Sequence, residues 1–173
     1  MICDKIKLRA PEPEDLDLLY KWENDTEIWQ ISNTISPFSK YTLRKYIENS
    51  HRNIFETGQL RFMIDLVSSG KTIGTIDLFD FDPFHQRAGI GILIADKSER
   101  RQGKAEMALR CLINYCFDHL KLHQLYCNIT SDNHASIKLF EKIGFKEAGI
   151  KIDWIRLKKG YKNEIMYQLI NQG

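Results

Sequence analysis

The sequence predicts a single α/β domain built on a mixed, mostly antiparallel sheet of seven strands with about four helices. The chain has 173 residues, 43% of them hydrophobic, which is the ordinary size and composition of one domain with one core. Three strand-like segments with short connections, 60–67, 71–81 and 87–95, predict an antiparallel meander. A long helical pattern then precedes the next strand, which must therefore run parallel to the third of them. We expect one domain over residues 1–173.

The N-terminal third predicts one strand followed by two helices. Residues 5–9 alternate polar and apolar side chains, and the acidic, Pro-rich segment 10–15 is typical of the start of a helix. A loop is predicted at 32–37. Ser39 is then a candidate N-cap for a second helix, whose apolar positions repeat at helical spacing as far as Gly58.

The C-terminal half predicts two further helices and three strands. Apolar residues recur at i, i+3, i+4 and i+7 over 105–120, which is typical of an amphipathic helix. Residues 122–130 follow as a strand, and 131–144 contain a short helix with a polar start and a terminal glycine. The tail, 145–170, predicts a hairpin whose turn lies at 158–160.

The net charge of the chain is small, but charged residues are unevenly distributed along it. The formal net charge is +2 and the pI about 8.3, whereas nucleic-acid-binding domains usually have a pI above about 9 with clustered bases. Seven acids against one base between residues 10 and 30 suit a cationic ligand, and five bases between 97 and 110 suit an anion. Solvated helix faces are the alternative explanation for both. We expect no nucleic-acid partner.

The cysteines and the apolar segments indicate the cellular compartment in which the protein is expected. The four cysteines form no C-x-x-C pair and no regular secretory spacing, and three lie in apolar runs where a free thiol packs as a small hydrophobe. No segment approaches about 18 consecutive apolar residues, and residues 1–7 lack the apolar region of a signal peptide. We expect reduced thiols in a cytoplasmic protein with no membrane partner and no metal site.

One candidate ligand-binding segment lies between the strand at 87–95 and the long helix. Small residues at the start of a helix let backbone N–H groups point outward at the positive end of its dipole, and flanking bases add to an anion site. Phosphate is the natural ligand. The spacings of a P-loop and of a dinucleotide-binding fingerprint are both absent. The candidate anion-binding residues are Arg100, Arg101, Gln102, Gly103, Lys104 and Ala105.

A second motif follows about 30 residues later, at 132–136 (Asp-Asn-His-Ala-Ser) and 139–145 (Leu-Phe-Glu-Lys-Ile-Gly-Phe). The first motif fits the pattern Arg/Gln-x-x-Gly-x-Gly/Ala at Arg100, Gly103 and Ala105. Together, and in this order of elements, the two motifs resemble the Gcn5-related N-acetyltransferase (GNAT) superfamily over essentially the whole chain. Within it, the sequence is similar to spermidine and diamine acetyltransferases and to ribosomal-protein N-terminal acetyltransferases.

The resemblance implies where a cofactor would lie. Acetyl-CoA would occupy a cleft where the fourth and fifth predicted strands splay apart, with its pyrophosphate on the loop 100–105. The backbone of Ile92, Leu93 and Ile94 would pair with the pantetheine amides, and Asn133 would hydrogen-bond the pantetheine arm. A local N-cap is the alternative role for Asn133. Since homodimers are common in the family, a homodimer is a further expectation.

The implied reaction is direct attack of a primary amine on the thioester, without a metal or a covalent enzyme intermediate. It needs a base for the amine and a proton for the leaving thiolate. The tyrosine that often supplies that proton is Phe140 here, and the glutamate that often acts as base is Gly89. Tyr126 is the candidate substitute acid and His85 a candidate base, because histidine changes charge near neutral pH. An ordinary strand tyrosine and an exposed loop histidine are the alternatives.

For the acceptor we favour a small di- or polyamine such as spermidine, since the acidic first helix and Asp77, Asp80 and Asp82 suit a cation. A peptide N-terminus, as in the ribosomal-protein branch, is the alternative, and an amino sugar is a third acceptor class. The absence of the tyrosine and the glutamate also leaves open a catalytically silent, regulatory CoA-binding module. The sequence thus predicts an acetyl-CoA-dependent N-acetyltransferase.

Overall fold

One mixed sheet with helices on both faces forms the molecule. The computed structural model describes residues 1–32 and 34–173, and within these ranges it contains eight strands and six α-helices. The strands are β1 (Ile2–Cys3), β2 (Ile6–Arg9), β3 (Leu60–Leu66), β4 (Thr72–Asp82), β5 (Arg87–Ile94), β6 (Gln124–Thr130), β7 (Lys146–Arg156) and β8 (Tyr161–Ile170). The helices are α1 (Leu16–Glu23), α2 (Thr26–Ser32), α3 (Lys40–Glu48), α4 (Ile54–Thr57), α5 (Lys104–Asn114), which continues as a π-helical turn, and α6 (His134–Ile143).

The strand order across the sheet is β1-β2-β3-β4-β5-β6-β8-β7. All described neighbours pair antiparallel except β5 and β6, which are parallel because α5 carries the chain back across the sheet. The predicted class, a mixed and mostly antiparallel sheet with a central parallel pair, is confirmed. The predicted hairpin at the C-terminal end is confirmed as β7 and β8.

The structure differs from the sequence prediction in the N-terminal third. It has an eighth strand, β1, which is too short for its side chains to show a period. The predicted second helix divides into α3, which Ser39 caps by accepting from the Thr42 N–H, and α4, which Asn53 caps. Helix α2 was not expected. Asn33, within the loop predicted at 32–37, lies outside the described residues.

Two groups of buried apolar side chains hold the helices to the sheet. The larger group joins β3, β4, β5 and β6 to α5 and α6, and its centre includes Ile76, Ile90 and Leu109. The smaller group joins Leu19 and Leu43, from α1 and α3, to β3 on the sheet. Consequently β3, with Ile64 in the larger group and Met63 in the smaller, is covered on both faces. No helix within the described ranges is long and apolar enough to cross a membrane.

The cysteines correct one expectation. Cys3 of β1 and Cys111 of α5 form a disulfide, so the expectation of reduced thiols is wrong for this pair. They are 108 residues apart in sequence, and only the packing of β1 against α5 brings them together. Cys116 and Cys127 are free and buried, and burial raises the pKa of the Cys116 thiol to about 12.

A half-buried arginine links the N-terminal strand to its neighbours. Arg9 of β2 donates from Nη1 and Nη2 to both carboxylate oxygens of Asp15, at 2.6 and 2.8 Å, and from Nε to Asp65 of β3 at 2.7 Å. Its Nη2 also reaches Thr72 Oγ1 of β4 at 3.1 Å. Burial would raise the pKa of Asp15, but hydrogen bonds from Arg9 and from the Glu12 N–H outweigh this and hold it below the usual value.

We expect Arg9→Met to lower the free energy of unfolding by about 3 kcal/mol at pH 7, because two buried carboxylates lose their cation. Urea denaturation measures this. Lys40→Met, which removes an exposed ion pair with Asp17, should cost less than about 1 kcal/mol. Because the folded-state pKa of Asp15 is depressed, its contribution is present above about pH 3.9 and is lost as pH falls through the folded-state value. Equal losses in the two variants would contradict the assignment.

Candidate functional site

The two parallel strands at the centre of the sheet, β5 and β6, diverge after three paired positions. β5 and β6 pair at Arg87–Gln124, Ala88–Leu125 and Gly89–Tyr126, whereas the strands themselves continue to Ile94 and Thr130. A cavity of about 540 Å³ lies between the diverging ends and is lined by both strands. The splay predicted for the central pair is therefore present.

The gap exposes one edge of the β5 backbone. The Gln86 carbonyl accepts from the His123 N–H at 2.7 Å, so even-numbered residues here face β6. Since N–H and C=O groups of alternate residues point to the same edge, those of Ile90 and Ile92 face the gap. Among the described strands, none pairs with this edge beyond Gly89. An extended ligand with amide groups could hydrogen-bond there as an added strand.

The loop 100–105 follows β5 and starts α5. Arg101 and Gly103 have positive φ values of 60° and 76°, which turn the chain sharply before the helix begins at Lys104. The first N–H groups of a helix have no acceptor within it. This end of α5 therefore presents backbone donors and the positive end of the helix dipole.

Most polar side chains of that loop are engaged with the protein. Arg100 Nε donates to the Ile94 carbonyl at 2.7 Å, Gln102 Nε2 donates to the Ser98 carbonyl at 2.6 Å, and Lys104 pairs with Glu99. Arg101 is exposed, and its side chain makes no hydrogen bond to any described residue. Backbone N–H groups and Arg101 are thus what the loop offers an anion.

Asn133 caps α6 at the wall of the cavity. Its Oδ1 accepts from the Ser136 N–H at 3.2 Å, so the N-cap role is present. Its Nδ2 group has no acceptor among the described residues, and the residue lines the cavity. One amide therefore both caps the helix and keeps two N–H donors for a ligand.

Three charged residues lie together in the cavity wall, and we call them the Glu23–Arg61–Asp77 cluster. Arg61 of β3 donates from Nε and Nη2 to Asp77 of β4 at 2.7 and 3.1 Å, and from Nη1 to Glu23 of α1 at 2.5 Å. Burial would lower the pKa of Arg61, but the two carboxylates outweigh this and raise it. The cluster carries one net negative charge. It also borders an adjoining pocket of about 300 Å³ beneath α3.

A second ion pair lies in the wall formed by β7 and β8. Lys151 Nζ donates to Glu164 Oε2 at 2.9 Å and to Asn128 Oδ1 of β6 at 3.2 Å, and it lies 5.1 Å from the centre of the Trp154 ring. Glu164 is buried. The sequence analysis identified Asp77 as a candidate and Glu23 as part of the acidic first helix, but it did not identify Arg61, Lys151 or Glu164. Opposite charges at paired strand positions, Arg61–Asp77 and Lys151–Glu164, were the available signal.

Phe140 and Gly89, which depart from the family pattern, are both enclosed by neighbouring side chains or close to one. Phe140 is buried in the cavity wall, edge-to-face with Phe145 at 5.0 Å, and has no proton to give. At Gly89, an added Cβ would lie 2.2 Å from the ring of Phe79. The Phe79 ring therefore occupies the space that any side chain at position 89 would need.

Tyr126 and His85 lie elsewhere. The Tyr126 hydroxyl donates to Asp80 Oδ2 at 2.9 Å and lines a separate cavity of about 630 Å³ with Asp82 and Arg87. Burial and the Asp80 carboxylate raise the pKa of Tyr126 to about 12. His85 is exposed, packs on Phe84, and lines neither of these two cavities. The structure thus does not bring the two predicted catalytic residues to the gap between β5 and β6.

No group of three or more His, Cys, Asp or Glu side chains in the described part of the chain is placed to hold a metal ion.

We expect Gly89→Ala to lower the free energy of unfolding by about 1–3 kcal/mol, because the new methyl group overlaps the Phe79 ring. Gly91→Ala is the matched control on the same strand, since a Cβ there would lie at an ordinary 3.7 Å from that ring. Denaturant titration of the two variants checks this, and equal stability would show that Phe79 moves aside without cost.

Comparison with known proteins places this geometry in a family. Residues 5–146 match the family model described as acetyltransferase (GNAT) domain. An uncharacterized N-acetyltransferase of Bacillus licheniformis is 27% identical over 173 residues, covering 99% of this chain and 96% of the relative. Spermidine N(1)-acetyltransferase of Vibrio cholerae is 24% identical over 159 residues, covering 92% and 89%.

A solved structure shares the fold. The crystal structure of spermidine N-acetyltransferase from Vibrio cholerae, in complex with CoA and spermine, aligns with a TM-score of 0.86 at 23% identity, covering 96% of this chain and 95% of that one. The resemblance seen in the sequence motifs is confirmed. The chain belongs to the GNAT acetyltransferase domain family and is an N-acetyltransferase that uses acetyl-CoA.

Proposed function

We propose that this enzyme transfers acetyl to a primary amine of a small di- or polyamine. The observation that carries the proposal is the Glu23–Arg61–Asp77 cluster, whose one net negative charge lies in the cavity that also exposes the β5 edge. A carboxylate with a free lone pair in a partly buried wall attracts an ammonium group strongly. Spermidine acetyltransferase of Vibrio cholerae, which is similar over most of the chain, supports the same class of acceptor.

The residues present fit acetyl-CoA. The free backbone edge at Ile90 and Ile92 suits the amides of the pantetheine arm, and the start of α5 with Arg101 suits the pyrophosphate. Because the Ile94 carbonyl already accepts from Arg100, backbone pairing would fall mainly on Ile90 and Ile92. When bound, acetyl-CoA supplies the thioester carbonyl that the amine attacks.

The chain contributes chiefly by positioning. Holding two reactants in line can supply a large part of a rate acceleration. The Glu23–Arg61–Asp77 cluster would hold a distal ammonium of the acceptor, so that its reacting amine points toward the β5 edge. With Gly89 in the place of a glutamate, the proton that the amine loses passes to solvent through the open cavity.

A peptide N-terminus is the second candidate acceptor. It is favoured by Phe140, since the resemblance implies that loss of the tyrosine is tolerated more readily in the ribosomal-protein branch. Trp154, which is 59% exposed to solvent, lies at the outer part of the cavity wall and could contact a peptide chain.

A cytoplasmic location and a homodimer belong to the same proposal. Cys116 and Cys127 as free thiols suit a reducing compartment, whereas the Cys3–Cys111 disulfide is unusual there. For the dimer, β7 is the last strand of the sheet order and carries exposed Ile152. Such an edge is a template for pairing with a second copy.

We expect thiol release from acetyl-CoA in the presence of spermidine, and Glu23→Gln to raise the KM for spermidine about 10-fold with little change in kcat. A hydrogen bond to a charged group contributes about 1.5–3 kcal/mol, which is the basis for this magnitude. Steady-state kinetics measures both constants. Glu48→Gln, an exposed change at the end of α3, is the control.

Three other results would decide against the polyamine. Turnover of peptides alone would move the acceptor to a protein N-terminus. Turnover of amino sugars alone would identify the third acceptor class. Binding of acetyl-CoA without turnover of any amine would identify a regulatory module.

Asn133→Asp separates the two roles of that residue. Aspartate keeps the acceptor that caps α6 but loses the N–H donors, so we expect the Kd of acetyl-CoA to rise about 3- to 10-fold, as for the loss of one hydrogen bond. Thermal unfolding of the variant should be unchanged, whereas Asn133→Ala should also lose about 1 kcal/mol of stability. Wild-type affinity in Asn133→Asp, measured by calorimetry, would leave capping as the sole role.

A further inference from the structure

The cavity lacks the phenol that the family pattern places at position 140, yet the thiolate that leaves the thioester still needs a proton. Hydroxyl groups of serine and threonine are much weaker acids than a phenol or an ammonium. The described cavity-lining residues with an ionisable proton are Glu23, Arg61, Asp77, Cys127, Lys151 and Glu164.

Only one of these six side chains is suited to donate a proton to the leaving thiolate. Arginine is not deprotonated in proteins. Glu23 and Asp77 accept hydrogen bonds from Arg61, and Glu164 accepts one from Lys151, so these carboxylates are bases with no proton to give. Burial raises the pKa of Cys127, which makes its thiol a poor donor. Lys151 remains, and it is an ammonium.

The geometry of Lys151 suits proton delivery. An ammonium has three N–H donors, and in this wall two of them are directed to Glu164 and Asn128. The third has no acceptor among the described residues. Trp154, with its ring 5.1 Å from Nζ, covers part of the remaining surface of the ammonium. Three elements, β6, β7 and β8, therefore hold one N–H group available at the cavity wall.

Lysine and tyrosine side chains are acids of similar strength in water. An ordinary lysine ammonium has a pKa of about 10.4 and an ordinary tyrosine phenol about 10. A lysine can thus replace a tyrosine as proton donor with little change in driving force. It adds a positive charge that the phenol lacks, which stabilises a thiolate before the proton moves.

We propose that Lys151 is the general acid of the reaction, taking the place that Phe140 leaves vacant. The proposal rests on the acetyl transfer to an amine proposed above. As the amine nitrogen forms its bond to the carbonyl carbon, the C–S bond breaks with its electron pair on sulfur, and Lys151 Nζ gives its proton to that sulfur. The attacking amine loses one proton to solvent and Lys151 regains one from solvent, so the free thiol and the acetamide are the products.

Several polar and charged side chains surround Lys151 and orient its ammonium group. Glu164 faces it from β8, the Asn128 amide from β6 and the Trp154 ring from β7 itself, while the Glu23–Arg61–Asp77 cluster occupies the same cavity on α1, β3 and β4. Glu164 and Asn128 are positioning residues, because they act on the substrate through Lys151.

The first test needs no amine. The thiolate of bound CoA absorbs ultraviolet light more strongly than the thiol, so a pH titration of the complex, followed as a difference spectrum, gives the pKa of the bound thiol. In the wild type we expect this pKa to lie at least about one unit below that of free CoA, as beside any fixed cation. Lys151→Met should return it to the free value, and Lys151→Arg should keep it low. Lys146→Met, an exposed change on β7, is the matched control.

The second test separates proton transfer from charge. With acetyl-CoA and the best amine of the panel, both Lys151→Met and Lys151→Arg should lose about 100-fold in kcat, the usual contribution of a general acid. With S-acetyl thionitrobenzoate, whose thiolate leaves without a proton, kcat/KM of all three proteins should agree within about 3-fold. Full kcat in Lys151→Arg would overturn the proposal.

A double variant serves as the control for loss of folding. Because Lys151→Met alone leaves the buried Glu164 carboxylate unpaired, the double variant Lys151→Met/Glu164→Gln removes both charges. It should unfold at the wild-type temperature and show the same loss in kcat as Lys151→Met.

The acceptor proposal and the Lys151 proposal fail in different ways. If spermidine is inert and a peptide is acetylated, the acceptor proposal fails and the acid test proceeds with the peptide. If the bound thiol titrates identically in wild type and Lys151→Met, Lys151 is not the acid.

Discussion

The divergence of β5 and β6 is the constraint on which the rest of the structure depends. A strand inside a sheet normally has its backbone groups paired on both sides, and groups left unpaired must be satisfied by water or by a ligand. Here pairing stops after Gly89 and Tyr126, so the β5 edge needs a hydrogen-bonding partner that the described chain does not supply. The cavity, the start of α5 and the cap of α6 are arranged around that one deficit.

Charge is distributed so that each cation in the cavity wall has an anion of its own. Arg61 is matched by two carboxylates and Lys151 by one, which leaves a net charge of −1 among these five side chains. The excess lies where α1 meets β3 and β4, whereas the ammonium lies on the opposite sheet segment, β7 and β8. A cationic acceptor and an anionic leaving group would thus be drawn to different walls of one cavity.

The sequence predicts features whose signals are local and misses those that depend on register. The loop 100–105, Ser39 and Asn133 were found because turn and cap residues act on their own neighbours. The charge pairs Arg61–Asp77 and Lys151–Glu164 join residues on different strands, and no local pattern reveals which positions face each other.

Tyr126 shows the same limit. It was a candidate acid because of its residue type and its strand, but which cavity its side chain meets depends on where the strands diverge. The residue lies at the last paired position, one step before the gap opens. Likewise, β1 has two residues and no period, and the partner of Cys3 is set by packing against α5 rather than by spacing.

The close contact between Phe79 and position 89 also limits which substitutions the sheet accepts. Since the ring of Phe79 fills the volume above position 89, a glutamate there would overlap it unless the ring moved or a smaller residue replaced the phenylalanine. Substitutions at positions 79 and 89 are therefore coupled, and their effects on stability would not add. The pair thus disfavours any side chain at the position where the family pattern has its glutamate.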